Sequence, residues 1–133
     1  MPVHIQAHYI GDDTVELEHG PSGRKMTTDL PVDNGGRGRG FSPTDLLAAG
    51  LASCVLTIMA KASVKDGLDL KGASIIVEKE MQTSPRRVAR IMGQLSLPPQ
   101  LSAAQKEKLR TYIRACPVTQ SLHPDVKVEL AVE

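Results

Sequence analysis

Two cysteines, Cys54 and Cys116, are the side chains whose type and setting could supply a nucleophile. A free cysteine is commonly a small buried hydrophobe, and it becomes a reagent only where its surroundings favour the thiolate. At the ordinary pKa of about 8.5, only about 3% of a thiol is ionised at pH 7. Cys54 lies in the middle of an apolar run, where no helix end assists ionisation and burial raises the pKa. A working Cys54 therefore needs a cation brought to it. Cys116 precedes Pro117 and is placed to cap a short helix, where backbone N–H groups and the helix dipole favour a thiolate. On local chemistry alone Cys116 is the better nucleophile. The four histidines, His4, His8, His19 and His123, fall at no zinc-ligand spacing with the cysteines. Neither a nucleophile-elbow serine nor a phosphate-binding glycine motif is present.

The element that must position Cys54 is the stretch Ser42–Asp66. Ser42 is a good N-cap, Pro43 suits the first helical position, and Asp45 gives the spacing of a capping box. Leu46, Leu47, Ala49, Leu51, Val55, Ile58 and Met59 leave hardly any polar face, which predicts a core helix covered on all sides. Its many small residues, with Lys61, Lys65 and Asp66, argue against a membrane span. Gly67 is the expected stop.

Three strands precede this helix. Alternation predicts them at Val3–Tyr9, Thr14–His19 and Arg24–Thr28, paired as an antiparallel meander. Leu30–Phe41 then reads as a loop, because its glycines, with Arg37 and Arg39 among them, disfavour helix and strand alike. Either it is a solvated linker or its backbone bends near a site and delivers a guanidinium. After the helix, Leu68–Gln82 and Val88–Leu97 read as two strands joined by a turn at Thr83–Arg87. Ser102 with Gln105 starts a second helix, which Cys116-Pro117 ends or breaks. Pro117–Leu122 is a further short helix, and Val126–Val132 a final strand. The order βββ-α-ββ-α-β is an α+β pattern.

At 133 residues the chain suits one domain, residues 1–133. Hydrophobic residues make up 41% of it, enough for a core, yet Tyr9, Phe41 and Tyr112 are its only aromatics, so that core is aliphatic. A net charge of +1 gives no field for nucleic acid or an acidic membrane, and the lack of aromatics disfavours base stacking. The opening residues show no secretory pattern, and two cysteines make no disulfide framework, which places the chain in the cytoplasm.

Taken together, GFSPTDLLAAGLASC and the later RACPVTQSLHPDVKVEL closely resemble the OsmC/Ohr family of osmotically induced and organic-hydroperoxide-resistance proteins. The resemblance covers most of the chain and includes the glycine-rich loop, the helix start and both cysteine segments. It implies an intertwined α+β homodimer with two central helices packed together. It also implies a thiol peroxidase for small organic hydroperoxides, using no metal, haem or flavin. In such enzymes the helix cysteine, here Cys54, attacks the peroxide. The later one, here Cys116, resolves the sulfenic acid as an intramolecular disulfide, which a dithiol compound or protein reduces. The family pairs an arginine and a glutamate near the nucleophile. The glutamate position of the hydroperoxide reductases is Thr44 here, with Asp45 next to it. The resemblance thus nominates Asp45 and either Arg37 or Arg24. Along a helix at about 1.5 Å per residue, Asp45 and Cys54 are separated by roughly 13 Å and lie on nearly opposite faces. Asp45 then serves from another subunit, through an arginine, or only as a cap. A non-catalytic protein of this fold that binds a small lipophilic ligand is the rival reading.

Overall fold

The computed structural model describes Met1–Glu133 and has the expected α+β composition. The chain forms two compact units, Met1–Leu46 and Leu47–Glu133.

In the first unit β1 (Ile5–Gly11), β2 (Thr14–His19) and β3 (Lys25–Asp29) form the expected antiparallel meander, in that order. Ala7 pairs with Leu17 and Leu17 with Met26, so apolar positions align across the sheet. β2 has the bounds that alternation predicts, while β1 lies two residues and β3 one residue further along the chain. The half-buried character expected of β1 is not found: Ile5 is 66% and Tyr9 70% exposed. The unit contains no full helix that would cover either face of its sheet.

Leu30–Phe41 is folded rather than an open linker. A short 3-10 helix spans Val32–Asn34, and the Gly36 and Gly38 N–H groups donate to Pro31 O (2.9 Å) and Leu30 O (3.2 Å). Gly36 is required because a Cβ there would collide with the Leu30 carbonyl, and Gly38 because its φ is +59°. The glycines thus fix a compact turn instead of freeing the backbone.

Helix α1 (Pro43–Lys65) begins in the first unit and runs through the second. Its predicted capping box is present: Asp45 N–H donates to Ser42 Oγ (3.1 Å) and Ser42 N–H to Asp45 Oδ2 (2.9 Å). Leu68 N–H to Ser63 O (2.9 Å) and Gly67 N–H to Val64 O (3.1 Å) close the far end around Gly67, as expected of a glycine stop. Instead of being covered all round, α1 buries one stripe: Ala48, Leu51, Val55, Met59 and Ser63. Only 28% of its most apolar stretch is buried, and Leu47, Ser53, Thr57, Ala60 and Val64 face outward.

The second unit has a sheet of order β4–β5–β6. β4 (Ser74–Gln82) and β5 (Arg87–Ser96) are a hairpin whose turn contains a cis Ser84–Pro85 bond. The strand predicted from Leu68 starts later, since Ala73 N–H closes a turn on Leu70 O at 2.8 Å. β6 (Lys127–Val132) is parallel to β5. Parallel neighbours require a crossover, and α2 (Ala103–Arg110), α3 (Tyr112–Ala115) and α4 (Pro117–Ser121) form it. The second helix has the predicted Ser102–Gln105 capping box but breaks at Thr111, whose hydroxyl donates to Lys108 O at 2.7 Å. Leu51, Val55 and Met59 of α1 join Ile91, Leu95, Leu109 and Cys116 in an aliphatic core. Each large side chain buried there stabilises the fold by about 1.5–3 kcal/mol.

Candidate functional site

The second unit brings the two cysteines together. Cys54 projects from the middle of α1. Cys116 is placed by the crossover: it is extended (φ −60°, ψ 123°), as the residue before a proline must be, and Pro117 then opens α4. Both thiols are free, Cys116 fully buried and Cys54 partly exposed. They lie close enough that each sets the ionisation of the other.

The pair is asymmetric. Desolvation and the neighbouring Cys116 push the Cys54 thiol up, against a smaller favourable effect of the Val118 N–H. At Cys116 desolvation also acts upward. It is outweighed by donation from Cys54, by the N–H and hydroxyl of Thr119, and by the Val118 N–H, so this thiol is held down. The neutral Cys116 thiol makes no side-chain cap hydrogen bond of full geometry. The amides of α4 act on it as dipoles that favour the charged form. The surroundings thus favour the charged form at Cys116 more than at Cys54. This agrees with the local argument that favours Cys116 as the acidic thiol. Exposure runs the other way, since a reagent from solvent meets Cys54 first.

The arginines belong to the first unit. Arg39 is fixed: its backbone N–H and Nε reach Asp29 Oδ2 (2.8 and 2.9 Å) and its Nη2 reaches Asp29 Oδ1 (2.9 Å). It also donates to Asp12 Oδ2 (2.8 Å) and to the Asp12 carbonyl (2.6 Å). Arg39 thereby holds the buried Asp29 carboxyl well below the usual carboxylate range. Arg37 makes an ion pair with Asp12, and both side chains are more than half exposed. Arg24 is exposed beside the β2–β3 turn, where its N–H donates to Ser22 Oγ (3.2 Å). Asp45 closes the α1 capping box.

Sequence reasoning missed three of these partners. Asp12 and Asp29 meet Arg39 only because of strand pairing, and nothing local announces it. Thr119 stood within the Cys-Pro-Val-Thr segment without a role. No group of histidine, cysteine and carboxylate side chains is arranged to hold a metal ion.

A sequence model described as OsmC-like protein matches residues 35–131. Among solved structures, a candidate osmotic stress induced and detoxification response protein from Psychrobacter arcticus 273-4 superposes with a TM-score of 0.92 at 35% identity, covering 97% of this chain and 94% of that one. An organic hydroperoxide resistance protein OsmC from Legionella pneumophila gives 0.80 at 21% identity, covering 100% and 97%. The organic hydroperoxide resistance protein OhrB of Bacillus subtilis gives 0.70 at 15% identity, covering 100% and 98%. No curated protein matches the sequence.

Proposed function

The chain belongs to the OsmC-like family, and from that membership we propose that it is a cytoplasmic, cysteine-based peroxidase that reduces small organic hydroperoxides. The observation that carries the reading is the thiol pair: a partly exposed Cys54 within reach of a buried Cys116. The relatives named for organic hydroperoxide resistance support the choice of substrate.

Cys54 is the nucleophile because a peroxide from solvent meets it first. Its sulfur attacks the terminal peroxide oxygen, the O–O bond breaks, and the alcohol leaves with a proton, giving Cys54 sulfenic acid. Cys116 then attacks that sulfur, expels water and closes a Cys54–Cys116 disulfide. A dithiol returns both cysteines to thiols. Because desolvation and Cys116 push the Cys54 thiol up, its attack calls for a cation that favours the Cys54 thiolate. Of the loop arginines, Arg37 is the better candidate. Its exposed pair with Asp12 is weak because solvent screens it, whereas Arg39 is held by two carboxylates.

One equivalent of cumene hydroperoxide should lower the protein mass by that of two hydrogen atoms. Cys54→Ser should abolish turnover. Cys116→Ser should consume one equivalent and stall as a sulfenic acid or mixed adduct. A Cys116→Ser protein inert in its first turnover, beside an active Cys54→Ser protein, would reverse the roles. An unchanged mass in the native protein would leave the cysteines as packing residues.

A further inference from the structure

Thr119 is the third residue of α4, after Pro117 and Val118, and Cys116 is the N-cap. In a capping box the side chain at this third position reaches back to the N-cap residue. Gln105 does so toward Ser102 in α2. In α4 the cap is a sulfur and the third residue is a threonine. The Thr119 hydroxyl is buried beside Cys116, whose charged form it favours, yet it makes no hydrogen bond of full geometry. An unpaired buried hydroxyl is destabilising, and it persists where another state supplies the partner. A neutral thiol is a weak acceptor, whereas a thiolate is a strong one. The Cys116 sulfur, wholly buried in the same turn, is the acceptor that can change in this way.

We propose that Thr119 is the hydroxyl donor that receives Cys116 as the leaving thiolate when the Cys54–Cys116 disulfide is reduced, so that the incoming reductant thiol bonds to Cys54. The inference rests on the disulfide chemistry proposed above and assigns its direction. A thiolate of the dithiol reductant attacks Cys54 Sγ. The Cys54–Cys116 bond breaks, and its electron pair goes to Cys116 Sγ, where the Thr119 O–H donates to it. The second thiol of the reductant then attacks its own sulfur in the mixed disulfide and releases Cys54. The protein disulfide gains two electrons, the dithiol becomes a cyclic disulfide, and its two thiol protons pass to the cysteines. A thiol leaves faster when its thiolate is stabilised, and charge-assisted hydrogen bonds are the strong kind. The partial exposure of Cys54 gives the reductant access to the sulfur that the chemistry favours.

The test uses the full chain with its cysteines joined by diamide, which needs no peroxide turnover. Reduction by dithiothreitol is followed by quenching with N-ethylmaleimide and mass analysis. Thr119→Val, close in shape but without the hydroxyl, should be reduced about tenfold more slowly, and Thr119→Ser should recover the native rate. With glutathione as a monothiol, the trapped mixed disulfide should map to Cys54. Equal rates for native and Thr119→Val protein, or glutathione on Cys116, would overturn the assignment while leaving the peroxidase reading in place. Failure of diamide to join the pair would remove both.

Discussion

Arg37 and Arg39 stand two positions apart in one loop, yet their surroundings give them opposite capacities. Arg39 is bound to Asp29 and Asp12 and acts as a structural tie. Arg37 has one exposed carboxylate partner. If its guanidinium is the activating cation, Arg37→Ala will raise the apparent Cys54 pKa by about one unit, read from the alkylation rate against pH. No change in either Arg37→Ala or Arg24→Ala would exclude arginine activation. The Arg39–Asp29 tie has its own pH signature. Because Arg39 depresses the Asp29 pKa in the folded state, its contribution to stability is complete above the ordinary carboxylate value. It fades as pH falls from there toward the depressed folded value. The Asp29 carboxyl carbon should titrate below the normal range in NMR, and Arg39→Ala should return it toward 3.8. At this scale the sequence was partly legible. The two cysteines stood out by type, and the asymmetry of their settings followed from Pro117 and from the middle of an apolar run. The Asp12–Arg39–Asp29 cluster did not, because long-range strand pairing builds it and leaves no local pattern.

Among the elements, α1 shows what local rules can and cannot specify. Its start and stop were readable, since Ser42, Pro43, Asp45 and Gly67 act through bonds to near neighbours. Its surroundings were not, because an apolar sequence states what wants burial but not what supplies it. The same limit explains β1, whose alternation is real and whose faces are nevertheless open. The sequence predicts the second helix as one piece, and the break at Thr111, where the hydroxyl turns back to Lys108 O, has no local signal as clear as a glycine or proline. The cap makes a clear prediction. Ser42→Ala should lower stability by about 1 kcal/mol, measured by urea unfolding. Asp45→Asn should lower the melting temperature by a few degrees and leave peroxide turnover intact if capping is its function. Lost turnover at an unchanged melting temperature would instead make Asp45 part of the reaction.

For the molecule as a whole, uncovered apolar surface is the main observation. Val3, Ile5, Tyr9 and Ile10 are exposed in the first unit, and Leu47 and Val64 on α1. Gly50 has open space where a Cβ would sit, and Ser53, Thr57 and Ala60 continue an outward face of small side chains. Ala48, another small residue of α1, is instead spent in the chain's own core. We propose that a second copy covers this surface, as a closed twofold pair in which α1 packs on its mate. Sedimentation at micromolar concentration should give a dimer, and Gly50→Leu should weaken it at least tenfold. A stable native monomer would refute the pairing, and partition of the chain into lipid vesicles would assign the helix to a membrane instead.

The parallel alignment of β6 with β5 also sets an order of assembly during synthesis. The ribosome delivers Cys54 early, then the hairpin, then the crossover with Cys116, and β6 after that. Until β6 takes its place beside β5, the segment bearing Cys116 is tethered at one end only. The two sulfurs are thus brought to lasting proximity late in translation.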